Sequence, residues 1–257
     1  MPAKEVFGSH WFVLVRVVLP QVFDMSKQNE GSSRTAIIVM GGVAPDVGLT
    51  AALDRNDVIV ITADSGAVYA RAAGLSIDIA VGDFDSIPPL LLEELESAGV
   101  RVERHPVAKD ATDLELAIEV AIREGADVVT VVGGHGGRVD QSFANAFVIA
   151  SPAYKHISMH AILDSALVSV VHGGGGVTFL GAPGDVVTLL PLHGDAIGVR
   201  TEGLEYPLRG ETLTAGTTRG VSNILLDREA TVSLESGTVL VVRPGPEVVV
   251  NGNGEFE

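Results

Sequence analysis

The sequence predicts an α/β protein: an open, mostly parallel sheet flanked by helices, followed by a smaller all-β sandwich domain. Three observations carry this expectation. Short β-branched runs recur at residues 36–40, 58–61, 77–81, 128–132 and 156–163, with helical segments between most of them, the pattern of parallel strands covered on both faces. The segment 112–124 has a helical period: Leu114, Ala117, Ile118 and Ala121 share one stripe, and Glu115, Glu119 and Arg123 form an opposite line of i, i+4 neighbours facing water. After about residue 166 no long amphipathic helix remains. Short runs at 168–171, 177–180, 186–190, 197–201, 221–226, 231–234 and 239–242 are instead separated by glycine and proline turn signals.

Taken in order, residues 1–34 read as an N-terminal extension. Its apolar run from His10 to Pro20 is interrupted by Arg16, is too short to span a bilayer and lacks a clear small-residue cleavage site, and Met25 offers a second initiator. Residues 35–165 form the α/β domain. Within it Pro88 and Pro89 pre-set the first turn of a helix that Gly99 ends. The capping box of Thr112 and Glu115 opens the next helix. Residues 166–243 form the β-sandwich, and the glycine- and asparagine-containing tail 244–257 has the composition of a flexible segment.

Composition narrows the function. The chain has 257 residues, of which 46% are hydrophobic, enough for a well-filled core. With 33 acidic against 17 basic residues its net charge is −16, which argues against a nucleic acid or an anionic membrane as partner. A polyanionic substrate would need a cation to enter. There is no cysteine, so disulfides and thiolate metal sites are excluded, and the expected location is cytoplasmic.

The residues that stand out lie where strands end, which is where open α/β sheets bind ligands. Val81-Gly82-Asp83-Phe84-Asp85-Ser86 ends the run 77–81. If the strand persists, Asp83 and Asp85 point to one face, and at about 5 Å two such charges repel by roughly 3 kcal/mol at an effective dielectric near 20. Either a hard cation such as Mg²⁺ shares the space or both are solvated turn residues. Asp64, after the run 58–61, reads by itself as an N-cap. Asp110 and Asp113 flank the capping box, which does not require them, and Lys109 beside them offers a cation to phosphate. The glycine-rich turn 133–137 precedes Arg138, whose planar fork suits phosphate, and a helix beginning near Asp140. That turn matches neither a Walker A motif nor a full dinucleotide fingerprint, and His135 reads as a solvent-facing loop residue.

Together these segments resemble the thiamine pyrophosphokinase family. The resemblance rests on Asp64-Ser65-Gly66-Ala67, Gly82-Asp83-Phe84-Asp85-Ser86, Asp110-Ala111-Thr112-Asp113-Leu114-Glu115, Gly137-Arg138-Val139-Asp140 and the downstream stretch from Gly216 through Thr218 to Ser222-Asn223. It implies an ATP-dependent enzyme that transfers pyrophosphate to the thiamine hydroxyl, giving thiamine diphosphate and AMP. It also implies a homodimer with the active site at the subunit interface. Carried over, the resemblance makes Asp64, Asp83, Asp85 and Asp113 the magnesium ligands. Lys109, Asp110, Gly137 and Arg138 join Asp64 in holding ATP. Asp140 would orient the substrate or a metal-bound water, with Asp140 or Asp113 available for the hydroxyl proton, and Thr218, Ser222 and Asn223 would contact thiamine. Two departures are Ser65, where many relatives have a second glycine, and Gln141, where many bacterial members have histidine. Some relatives place a tryptophan against thiamine in the second domain; here the single tryptophan is Trp11. The alternatives are a non-catalytic thiamine or nucleotide sensor, and a magnesium-dependent transferase acting on another alcohol.

Overall fold

The computed structural model describes residues 34–42, 58–106, 108, 110–136 and 138–245. The expectations for the N-terminal extension with Trp11 and Met25, for Lys109 and Gly137, and for the tail beyond residue 245 lie outside the described residues. Fourteen strands are described: β1 (Thr35–Val39), β2 (Val58–Ala63), β3 (Ile79–Gly82), β4 (Arg101–Arg104), β5 (Val128–Val132), β6 (Ser158–Leu163), β7 (Ala166–His172), β8 (Gly176–Leu180), β9 (Val186–Pro191), β10 (Ala196–Glu202), β11 (Arg209–Leu213), β12 (Asn223–Ile224), β13 (Glu229–Ser233) and β14 (Thr238–Arg243). The helices are α1 (Gly66–Ala72), α2 (Pro89–Ser97), α3 (Asp113–Arg123) and α4 (Val139–Ile149).

The strands form a ten-stranded sheet in the order β12-β9-β14-β7-β6-β5-β1-β2-β3-β4 and a four-stranded sheet in the order β11-β10-β13-β8. From β6 to β4 the large sheet is parallel. From β1 the chain builds outward through β2, β3 and β4, then returns to place β5 on the other side of β1. The topological switch point therefore lies between β1 and β5, where the connections leave in opposite directions and open a crevice.

Residues 36–39 of β1 are all buried and alternate between two cores, as a doubly covered strand requires. Ala36 and Ile38 join the core formed with α3 through Leu114, Ala117, Ile118 and Ala121. Ile37 and Val39 join the opposite core with Ala70 of α1 and Leu75. Helix α3 begins as its sequence indicates, with Thr112 Oγ1 accepting from the Glu115 amide and Glu115 Oε2 accepting from the Thr112 amide. Its exposed Arg123 differs from expectation: the guanidinium pairs with Glu103 of β4 rather than with its own helix, while Arg101 of β4 pairs with Glu124.

The large sheet continues across residue 165 by antiparallel pairing of β6 with β7, after which β14, β9 and β12 follow. These strands face the four-stranded sheet across one core, in which Val171, Val187, Leu189, Val239 and Val241 meet Phe179, Ala196, Val199, Leu213 and Val232. One wall of the sandwich is thus the antiparallel end of the same sheet that carries the α/β half. The sequence-based run 221–226 contracts to two residues in β12 because Ser222 takes a left-handed φ of +57°. Beside it, Gly220 lies so close to Leu189 that a Cβ would come 2.3 Å from the Leu189 carbonyl oxygen. Among the described residues no helix is long and apolar enough to cross a membrane.

Gly66, the first residue of α1, is packed against β1: a Cβ there would lie 2.0 Å from the Val39 carbonyl oxygen. The neighbour is backbone and cannot swing aside. Gly66→Ala is expected to destabilise the protein by about 3 kcal/mol, the upper part of the range for overpacking, measured as a lower urea midpoint with an unchanged slope.

Candidate functional site

Strand β2 ends at Ala63, and the chain turns into α1 through Asp64 and Ser65. The Asp64 amide donates to the Val81 carbonyl of neighbouring β3 at 2.8 Å. Asp64 has a φ of +45° and sits directly over Gly82, where a Cβ would meet the Asp64 Cα and amide nitrogen at 3.2 Å. Only glycine, itself at φ +153°, allows this approach. Asp64 is thereby held against the end of β3, the strand that leads into Asp83.

The pairing of Asp83 with Asp85 does not come from a continued strand, because β3 stops at Gly82. It comes from Phe84. Phe84 adopts a φ of +60° and turns its ring inward, where it packs with Ala80 and Ile87 beneath the Arg104 guanidinium at 5.7 Å. A left-handed backbone is costly for a bulky residue, and burying an aromatic ring offsets that cost. With Phe84 buried, Asp83 and Asp85 stay on the rim, and the Asp85 amide donates to Asp83 Oδ1 at 3.2 Å. Ser86 Oγ donates to Asp85 Oδ1 at 2.8 Å.

Asp64, Asp83 and Asp85 each bring a carboxylate oxygen within 4.8 Å of the others. Asp64 Oδ1 is buried and meets no hydrogen-bond donor among the described residues. A buried carboxylate oxygen is normally satisfied, so an orphaned one beside two further carboxylates fits a hard cation with oxygen ligands. The residues present suit Mg²⁺. Asp113 stands at the first turn of α3 and does not belong to this close trio; Asp110 is exposed in the bend before that helix.

Across the switch point lie the turns after β1 and β5. The Gly134 amide donates to the Gly41 carbonyl at 2.8 Å, and a Cβ on Gly42 would come 2.5 Å from the His135 carbonyl oxygen. The loops are therefore in backbone contact. His135 is not merely solvated as its sequence suggests: its Nδ1 accepts from the Asp164 amide at 3.2 Å. Beyond the turn, Arg138 and Asp140 at the start of α4 bond to each other, with Arg138 Nε donating to Asp140 Oδ1 at 2.9 Å and Nη2 donating to Oδ2. The Arg138 hydrogen bond holds the Asp140 carboxyl down to about 2, with smaller help from backbone amides, and Asp140 raises Arg138 in return. So acidic a group is a poor proton acceptor near neutral pH.

The sandwich residues lie elsewhere. Thr218 and Ser222 are exposed, and the Ser222 amide donates to Thr188 Oγ1 at 3.1 Å. Asn223 is buried and its amide makes three hydrogen bonds: Oδ1 accepts from the backbone of Tyr206 at 3.0 Å and Ile224 at 2.9 Å, and Nδ2 donates to the Tyr206 carbonyl at 2.8 Å. The side chain thus fixes the segment carrying Tyr206, whose ring is exposed. Sequence reasoning passed over Tyr206, Tyr69 and Asn145.

Comparison with known proteins agrees with this layout. Two family models match, thiamin pyrophosphokinase, catalytic domain, over residues 50–161 and thiamin pyrophosphokinase, vitamin B1 binding domain, over residues 179–239. A thiamine pyrophosphokinase of Bacillus subtilis is 28% identical over 213 residues, covering 82% of this chain and 98% of the relative. The crystal structure of a thiamine pyrophosphokinase from Bacillus subtilis superposes with a TM-score of 0.74 at 25% identity, over 83% of this chain and all of that one. A thiamin pyrophosphokinase from Geobacillus thermodenitrificans gives 0.70 at 26% identity, over 83% and 98%.

The Arg138–Asp140 pair yields an acid-range prediction. A depressed carboxyl pKa means that the contact stabilises the fold above the ordinary aspartate pKa and is lost as pH falls toward about 2. Titration of the Asp140 side chain by NMR is expected to show that low midpoint, and Arg138→Ala to return it to the ordinary carboxylate range. A midpoint that does not move on removing Arg138 would contradict the assigned cause.

Proposed function

The chain belongs to the thiamine pyrophosphokinase family, and from that premise we propose that it transfers the pyrophosphoryl group of ATP to the thiamine hydroxyl, releasing AMP and thiamine diphosphate. The observation that carries the reading is the acidic trio: carboxylates from two separate strand ends brought within 4.8 Å, beside the switch-point crevice. In this proposal Asp64, Asp83 and Asp85 hold Mg²⁺, with Asp113 a further ligand. When bound, that ion would neutralise charge on the phosphoryl oxygens and align them for in-line transfer.

The remaining chemistry is positioning. Arg138 engages Asp140 through Nε and Nη2, which fixes the guanidinium and leaves its Nη1 edge for a phosphate oxygen. Asp140 therefore serves as the orienting partner of Arg138 rather than as the base. Lys109, Asp110 and Gly137 complete the nucleotide-binding set. The thiamine hydroxyl oxygen attacks the β-phosphorus, the bond from that phosphorus to the α,β-bridging oxygen breaks, AMP departs with the electron pair, and the hydroxyl proton passes to solvent. An acidic crevice also favours the cationic thiazolium ring. We assign nucleotide and metal to residues 35–165 and thiamine to residues 166–243, where Thr218 and Ser222 make contact and Asn223 acts by fixing Tyr206.

A homodimer with a shared site, located in the cytoplasm, is part of the same proposal. What supports the dimer is distance. The strand carrying Asn223 is eight positions from β3 in the sheet order, roughly 38 Å at about 4.8 Å per strand. A separation of that order favours a site to which a second subunit brings Ser222. Helix α4 also exposes an apolar row, Val139, Phe143 and Phe147, at 65%, 65% and 51%, spaced i, i+4, i+8 as a helix-face contact requires.

Two measurements test this reading. Asp83→Ala is expected to lower AMP release from ATP and thiamine by at least about 1000-fold, as loss of a metal ligand in phosphoryl transfer does, without lowering the thermal midpoint; near-normal turnover would refute its role. For the shared site, two inactive variants, Asp83→Ala and a Ser222 substitution that abolishes thiamine binding, are unfolded and refolded together. Random pairing leaves about a quarter of the sites intact if each site draws on both subunits of a symmetric dimer. No recovery above the separate variants would place the site within one chain.

A further inference from the structure

We propose that Asn145 is a positioning residue for the nucleotide, acting through the glycine turn at the switch point; the inference rests on the reading given under Proposed function. Asn145 lies on the buried side of α4. Its Nδ2 donates to the Gly134 carbonyl at 2.7 Å. Gly134 has a φ of +76°, and a Cβ there would meet Asn145 Nδ2 at 3.0 Å and the Met40 side chain at 3.3 Å. The turn is thus in a conformation that favours glycine and is clasped by one side chain from α4, the helix whose N-cap is Arg138.

The clasp extends across the crevice. The Gly134 amide reaches the Gly41 carbonyl at 2.8 Å, and the Gly133 amide reaches the Ile162 carbonyl at 3.1 Å. On the far side, Tyr69 Oη donates to the Gly42 carbonyl at 2.7 Å. Tyr69 belongs to α1, the helix that directly follows Asp64. One continuous set of hydrogen bonds therefore runs from α4, through both glycine turns, to α1. It ties the element carrying Arg138 to the element following Asp64, and so sets the span that a magnesium-bound triphosphate must bridge. Neither Asn145 nor Tyr69 needs to touch the nucleotide to do this.

The loss of either bond leaves a turn carbonyl without its partner and lets the two sides of the crevice drift. The test uses the full chain and reads binding of a non-hydrolysable ATP analogue with Mg²⁺ by calorimetry, together with KM for ATP and for thiamine in the AMP-release assay. Asn145→Leu, close in volume but unable to donate, is expected to weaken analogue binding and raise KM for ATP by about tenfold, with KM for thiamine changed less than about twofold. A purely structural role would lower the thermal midpoint or the active fraction without this split between substrates. Should Asn145→Leu fail to fold, Tyr69→Phe decides, with an expected shift of about threefold in the same direction. Analogue binding within about twofold of the unsubstituted protein, in whichever variant decides, overturns the inference. If the unsubstituted protein binds the analogue yet releases no AMP, the transferase reading fails, while the binding ratio still judges Asn145.

Discussion

The constraint on which the rest depends is the contact of Asp64 with Gly82. An amide-to-carbonyl bond from Asp64 to Val81 locks the end of β2 to the end of β3, and the absence of a side chain at position 82 lets the backbones meet. Two non-glycine residues in left-handed conformations, Asp64 and Phe84, flank that contact. Such conformations persist only where their surroundings over-determine them, and they concentrate at working sites. Here the buried Phe84 ring and the packed start of α1 supply that determination. The result is three carboxylates in mutual reach, a repulsive arrangement that a divalent cation would convert into an attractive one.

The rest of the α/β half can be understood as the frame for this arrangement. A switch point places β1 between β2 and β5, so the loops with acidic side chains fall on one side of the crevice and the turn leading to Arg138 falls on the other. Glycines 41, 42, 133 and 134 let the turns after β1 and β5 meet backbone to backbone. In the second half, the same sheet carries on antiparallel and becomes one wall of the sandwich, at the far edge of the α/β half. The strand bearing Asn223 therefore stands eight positions from β3, the strand that leads into Asp83, the separation on which the proposal of a shared site rests.

Much of this was legible in the sequence, for identifiable reasons. Strands β1, β2 and β5 are buried on both faces and read as β-branched-rich runs. Helix α3 announced itself through its stripe and its capping box. The missed strands, β4 and β11, are the edges of their sheets, and their sequences Arg101-Val102-Glu103-Arg104 and Arg209-Gly210-Glu211-Thr212-Leu213 carry the charge that edge strands use against mispairing. The pairing of Asp83 with Asp85 was anticipated from strand alternation, but it arises from a buried aromatic in a turn. That mechanism depends on what lies beneath Phe84, which local pattern does not encode. The roles of Asn145 and Asn223 were hidden for the same reason: each bonds to a backbone group far along the chain, Gly134 or Tyr206.

The account stands on Asp64, Asp83 and Asp85 sharing one divalent cation with the nucleotide. The most direct measurement is a crystal structure with Mn²⁺ and a non-hydrolysable ATP analogue, using the anomalous signal of the metal. The account predicts an anomalous peak between these three carboxylates, within about 2.2 Å of an oxygen of each and of the analogue's phosphates. Bound nucleotide with the peak elsewhere, or with the three carboxylates turned away from it, would contradict it.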